Sequence, residues 1–212
     1  MKEENYSVHI EDSINGIEML KSLEIKGRTC YKSEHKITND SYLSFISDII
    51  KKHHESVLEH EKISVRVICD RGVSHQIVRH RLGSYSQEST RYCNYSNDRF
   101  GHQITVIKPP QLTNEQYMIW KEAMENAEAS YFKLIEIGAT AQTARAVLPF
   151  SVKTEIVITY NLREWRHFLK VRTIPEAHPQ IKEIAFDILK QFKELVPVVF
   201  DDISEDKNGN RI

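Results

Sequence analysis

Cysteine is scarce: Cys30, Cys69 and Cys93 are odd in number, widely spaced and never in a CxxC pair. That excludes a disulfide-stapled secreted scaffold and fits free thiols in a reducing compartment, so a cytoplasmic location is expected. Glycine and proline are scarce too, at seven and six, which excludes collagenous and Gly/Pro-rich disordered chains. No run approaches the ~18 apolar residues of a membrane span, and the acidic start MKEENYSVHIEDS has no apolar h-region, so neither membrane embedding nor export is expected. An excess of one charge is missing as well. With 29 Lys+Arg against 30 Asp+Glu, the formal charge of −1 gives no global basic field for nucleic acid. What remains is an ordinary globular composition, 40% hydrophobic and 28% charged, read as a single domain over 1–212 with a polar C-terminal tail at 201–212, expected to be surface or frayed.

Periodicity predicts mixed α and β structure without repeats. Residues 6–10 alternate as a strand, and Asp12 and Ser13 are candidate caps for a helix carrying Ile14, Ile17, Leu20 and Leu23 that ends near Gly27. Thr38-Asn39-Asp40 caps a second helix with Leu43, Ile46, Ile49 and Ile50 as its stripe, running to a turn at His53-His54-Glu55. Ile63, Val65, Val67 and Cys69 alternate as a half-buried strand, a helix is expected from Val73 to about Leu82, and 104–108 reads as a strand stopped by Pro109-Pro110. The longest helix runs from Asn114 to Ile137 and reads as scaffold, stopped by Gly138. After a short helix over 140–147 and a strand over 152–160, an amphipathic helix begins at Leu162. Its Trp165, Phe168 and Leu169 pack inward while Arg163, Arg166, His167 and Arg172 project elsewhere; a last helix spans about 179–195.

The chemistry concentrates between Gln76 and Tyr92. On the predicted helix Gln76, Arg79 and His80 lie on adjoining turns, so their tips can converge. Past Gly83 come hydroxyls and amides closed by Arg91, with Ser89 beside that guanidinium, which suits a phosphate-like group. Such residues also populate ordinary solvated faces. A second cluster sets this chain apart: Arg145, the run Asn161 to His167, and Arg172 with His178 again put cations and amides beside apolar anchors. Arginines held together repel unless an anion lies between them, so a shared pocket for a polyanion is expected. His53, His54 and His60 with Glu55 and Glu59 lack HExxH or paired spacing, and no metal is expected. No GxGxxG follows a strand, which disfavours a Rossmann reductase.

Arg79-His80-Arg81, seven residues and then Ser89 resemble the RHR-x7-S signature of the flavin-dependent thymidylate synthases, the ThyX family. Further blocks resemble that family: RTCY at 28–31, HHESVLEH at 53–60, ARAVLP at 144–149, NLREWRHFLKVR at 161–172 and AHPQ at 177–180. The resemblance implies an α+β fold, a mixed or antiparallel sheet flanked by helices, and a cytoplasmic homotetramer with active sites shared between subunits. It implies reductive methylation of dUMP to dTMP, with 5,10-methylenetetrahydrofolate as one-carbon donor and NADPH as reductant through FAD. Carried over by position, Ser56, Arg79, His80, Arg81, Gln87, Asn161, Arg163 and His167 correspond to FAD contacts. Gln76, Arg79, Gln87, Glu88, Ser89, Thr90, Arg91, Arg145 and Arg172 correspond to the dUMP site. Arg172 is the expected catalytic residue, stabilising negative charge on the uracil as N3 ionises, and His54 matches a residue placed near the flavin. Gln87 replaces the carboxylate of the commoner Ser-x-Asn-Glu-x-Ser pattern and cannot act as a base. No cysteine has a Pro-Cys-His setting, so no protein nucleophile is expected, and Cys93 reads as an ordinary thiol. The alternative is a nucleotide- or RNA-binding regulatory module that uses the Arg-rich segment with Tyr85, Tyr92 and Tyr95 for stacking; it would purify colourless and bind with a steep salt dependence.

Overall fold

A computed structural model describes residues 1–203; the remainder of the expected polar tail lies outside the described residues. In chain order the elements are β1 (Lys2–Glu4), β2 (Ser7–Ile10), α1 (Gly16–Arg28), α2 (Ser41–Lys51), β3 (Lys62–Asp70), α3 (Arg71–Ile77) and β4 (Gly83–Gln87). There follow β5 (Thr105–Ile107), α4 (Asn114–Glu136), α5 (Ala141–Ala144), β6 (Lys153–Asn161), α6 (Leu162–Arg172) and α7 (Pro179–Leu195). The expected α+β class is what the chain adopts.

Two-residue alternation builds the main sheet, of order β2-β3-β6-β4. Along β3 the residues Ile63, Val65, Val67 and Cys69 are buried, and along β6 Thr154, Ile156, Ile158 and Tyr160. β3 and β6 run antiparallel, since Ser64 Oγ meets Thr159 Oγ1 at 2.9 Å near one end and Arg71 N donates to Phe150 O at 2.9 Å near the other. β6 and β4 are antiparallel as well: the Glu88 amide donates to Glu155 O at 2.8 Å, while Gly83 lies against the Tyr160 ring. A separate parallel pair joins β1 to β5, with Lys2 opposite Thr105 and Glu4 opposite Ile107. β1, three residues of sequence KEE, is too short and too charged to show any alternation.

The chain resolves into two compact units. One comprises 1–7, 66–79 and 85–157; its core gathers Tyr95, Ile104, Val106, Met124, Tyr131, Ala144 and Val152. Its long helix α4 opens on a capping box between Thr113 and Gln116 and stops at Gly138, whose φ of 94° needs a residue without Cβ. The other comprises 8–65, 80–84 and the chain from 158 onward. There α1, α2, α6 and α7 bury Leu20, Leu23, Ile46, Trp165, Phe168 and Phe192 completely, each such burial stabilising by about 1.5–3 kcal/mol.

Several local expectations need correction. Asn15, not Asp12 or Ser13, caps α1 by accepting from the Glu18 amide; the Asp12 carboxylate instead accepts from the Ser64 amide at 2.6 Å. In α2 Leu43 is exposed and Tyr42 takes its place on the buried stripe. The helix expected from Val73 to Leu82 begins two residues earlier, at Arg71, because the Asp70 carboxylate accepts from the Val73 amide at 2.7 Å. It ends at Ile77, whose carbonyl accepts from the Tyr85 hydroxyl at 3.3 Å, a bond that competes with another helical turn. Arg166, expected to project away from the inward-packing Trp165, Phe168 and Leu169, is nonetheless buried at 1% exposure. Among the described residues no helix is long and apolar enough to cross a membrane.

Candidate active site

Helix α6 organises the richest cluster. Asn161 caps it by accepting from the Glu164 amide at 2.8 Å, and the helical repeat then brings Glu164, Phe168 and Arg172 onto one side. His80 packs there, buried, its ring 4.9 Å from that of Phe168, 5.5 Å from His167 and 6.3 Å from Tyr160. Its Nδ1 lies 3.2 Å from Glu164 Oε1, and its Nε2 accepts from Arg172 Nε at 3.1 Å. Arginine has no acceptor, so Nε2 carries the lone pair and the proton sits on Nδ1, pointing at Glu164. Burial, then the Arg172 and His167 charges, push the imidazole pKa down to about 4, so the ring is neutral near pH 7. Burial also raises the Glu164 carboxyl above its ordinary value, against the pull of His167.

Along the same helix opens a cleft of about 500 Å³, lined by Glu55, Glu59, Asn161, Arg163, His167 and Lys170 among others. Arg163 Nη1 bonds Glu59 Oε1 at 2.6 Å. Cations and the helix N-terminus suit phosphate oxygens, and the carboxylates suit hydroxyl or amino donors, a donor set that fits a dinucleotide such as FAD. Ser56, carried over as an FAD contact, is exposed and faces a second pocket of about 470 Å³ with His54, Cys30, Tyr31, Phe45 and Lys52. Behind the cleft, Arg166 donates to Glu55 Oε1 at 3.0 Å and to both Asp202 oxygens, fixing the residue next to Ser56.

The other unit carries the residues matched to dUMP apart from Arg172, which lies on α6. Ser89 starts a turn in which its carbonyl accepts from the Tyr92 and Cys93 amides and its hydroxyl from the Arg91 amide. Arg91 Nε reaches Gln142 Oε1 at 2.7 Å, which ties this turn to the 141–147 segment bearing exposed Arg145. Thr90 is buried. Gln87 donates to Ser74 Oγ at 2.9 Å and Thr154 Oγ1 at 3.1 Å, so its amide is held inward. Glu88 is held by Lys153 at 2.9 Å and Tyr95 at 3.0 Å, while its carbonyl accepts from Arg71 Nη2. Gln76 is half-buried on α3, but Arg79 and His80 fall beyond the end of that helix, so the helical face expected to unite all three does not exist. Arg79 and Arg81 are exposed.

Sequence reasoning missed Glu164, Arg71 and the Arg166 network. An acid at the third position of a helix reads as dipole compensation, and nothing local says that Glu164 is buried against His80. It also missed that His80, Glu164 and His167 place donor atoms within 4.8 Å of one another. Arg172 donates into His80 Nε2 and the proton on Nδ1 faces Glu164, so His80 has no lone pair left for an ion. Burial pushes the Cys69 thiol up to about 12, Cys30 is exposed and Cys93 half-buried.

The family model described as thymidylate synthase complementing protein matches residues 17–198. The flavin-dependent thymidylate synthase of Geobacter sulfurreducens is 32% identical over 188 residues, covering 85% of this chain and 80% of its own. That of Pyrococcus abyssi is 33% identical over 79% and 70%, and that of Mycobacterium bovis 35% over 85% and 78%. Among solved structures, the UMP/dUMP methylase PolB from Streptomyces cacaoi bound with 5-Br dUMP shares the fold with a TM-score of 0.78 at 20% identity, over 100% of this chain and 99% of that one.

Proposed function

The chain belongs to the flavin-dependent thymidylate synthases, and from that membership we propose that it methylates dUMP reductively to dTMP. The observation that carries the reading is the family match across 17–198, a span that includes every residue assigned to the site. FAD, when bound, supplies the hydride chemistry, with NADPH as reductant and 5,10-methylenetetrahydrofolate as one-carbon donor. Asn161, Arg163 and His167 would hold it in the α6 cleft, Ser56 would meet it from the second pocket, and Arg79 and Arg81 suit its pyrophosphate by bidentate pairing. Ser89 and Arg91 form the cradle for the 5′-phosphate of dUMP, with Arg145 on the neighbouring segment adding positive charge. Arg172 sets a fixed cation against the uracil, where it favours ionisation at N3 and makes C5 more nucleophilic toward the methylene carbon. No thiol is needed. The working form is a cytoplasmic homotetramer in which neighbouring subunits complete each site.

The test is release of the C5 hydrogen from labelled dUMP by the purified chain, with FAD, NADPH and methylenetetrahydrofolate each omitted in turn. Release that needs all three supports the reading; none from a folded, flavin-loaded oligomer refutes the substrate. Full activity in a monomer, read by light scattering at assay concentration, refutes the shared site.

A further inference from the structure

We propose that His80 and Glu164 form a positioning relay for Arg172, so that the histidine acts through the arginine. The inference rests on the reading that Arg172 faces the pyrimidine of dUMP. Its geometry is a line of two hydrogen bonds, Glu164 Oε1 to His80 Nδ1 at 3.2 Å and His80 Nε2 to Arg172 Nε at 3.1 Å. His80 and Glu164 are buried at 6% exposure each, and the rings of Phe168, His167 and Tyr160 pack around the imidazole.

Each link constrains the next. Glu164 accepts the proton on Nδ1, which leaves Nε2 as the lone-pair nitrogen, and only an unprotonated Nε2 can accept from Arg172. An imidazolium would offer a second N–H to a group that only donates, and the two cations would repel. The charged and titratable groups facing the ring include Glu164, His167 and Arg172 from α6 and Tyr160 from β6; burial, then the Arg172 and His167 charges, oppose protonation. With Nε tied to a buried ring, the plane of the guanidinium is set before substrate arrives, so less ordering is left for the reaction.

The same relay explains why a histidine stands between two arginines in the Arg79-His80-Arg81 run. Its neighbours are exposed, whereas His80 alone turns into the core and spends both ring nitrogens there. A glutamine at this position can do both jobs, because its carbonyl accepts from Arg172 while its amide donates to Glu164; a leucine can do neither.

The experiment compares the flavin-loaded wild-type protein with His80→Gln, His80→Leu and Glu164→Gln. His80→Leu should lose about a hundredfold in kcat with the dUMP KM changed much less. His80→Gln should recover most of that loss, and Glu164→Gln should lose about tenfold. A side chain that only fills space would not be rescued by Gln. Independently of turnover, ¹⁵N NMR of the wild-type histidines should show His80 protonated at Nδ1 and bare at Nε2 at neutral pH. The Arg172 Nε–H should exchange slowly in wild type and faster in Glu164→Gln. An Nε2-protonated or doubly protonated His80 overturns the proposal, as does equal loss of kcat in the Gln and Leu variants. If His80→Leu does not fold, the wild-type tautomer and the Glu164→Gln exchange rate decide. If wild type releases no C5 hydrogen, the assignment of dUMP falls, and the relay stands or falls on the two NMR readouts.

Discussion

Arg166→Met tests what holds the cleft wall in place. The substitution keeps most of the side-chain volume and removes the charge. In the wild type Arg166, 1% exposed, donates to Glu55 Oε1 at 3.0 Å, to Asp202 Oδ1 at 2.6 Å and Oδ2 at 2.8 Å, and to the Val199 carbonyl. Removing one partner from a buried ion cluster costs about 3–5 kcal/mol, because the other charges lose their neutraliser. Here the carboxylates can partly rehydrate, Asp202 being 41% exposed and Glu55 17%, and Lys170 stands 3.3 Å from Asp202. The lower bound therefore applies, about 3 kcal/mol, or a Tm drop of about 6–12 °C for a chain of this size. The assay is urea unfolding at pH 7 with parallel thermal melts. Acid supplies a second check. Burial alone would raise the Asp202 carboxyl, but hydrogen bonds and charge from Arg166, with help from Lys170, hold it below its ordinary value of 3.8. The stability that Asp202 contributes is thus present above pH 3.8 and lost as pH falls through its lowered folded-state value. The gap between wild type and variant should narrow along that descent. A loss under about 1 kcal/mol at pH 7, or a gap that stays constant into strong acid, would refute the reasoning.

Arg172→Ala should cripple turnover while leaving FAD uptake nearly intact; lost flavin absorbance would mean that this side chain serves the cofactor. Ser89→Ala and Arg91→Ala should raise the dUMP KM, the second by at least tenfold because a charged contact is lost, and an unchanged KM would move the phosphate site elsewhere. His80 predicts an acid limb of its own. Folding lowers its pKa from 6.5 to about 4, so between those values the unfolded chain binds a proton that the native chain does not, and stability falls as pH drops. The full effect is about 3 kcal/mol, offset in part by the raised Glu164 carboxyl, which takes up a proton more readily in the native chain. In His80→Gln the part of the limb between pH 6.5 and about 4 should flatten, as urea titrations across that range would show.

What could be read in the sequence follows from how local each signal is. β3 and β6 were legible because alternating Ile63, Val65, Val67 and Ile156, Ile158, Tyr160 need only the pleat to be interpreted. α4 was legible because its apolar residues keep a helical period over many turns and Gly138 closes it. α3 was read too long because the bond that competes with its continuation, Tyr85 to the Ile77 carbonyl, comes from the following strand. The site divides in the same way. Residue types point to anion chemistry, since chemical identity is written in the sequence itself, whereas Arg172 was singled out only through the family resemblance. Glu164 and Arg166 sit two residues apart on α6 and look alike as helix-surface charges, yet one is buried on His80 and the other on Glu55 and Asp202. Each is buried only because a partner of opposite or complementary polarity comes from at least 36 positions away, His80 for Glu164 and Glu55 with Asp202 for Arg166. A charge that exists in the core only with its partner cannot be recognised before that partner is placed. The residues that tune an arginine or brace a cleft are therefore those that local pattern reading leaves out.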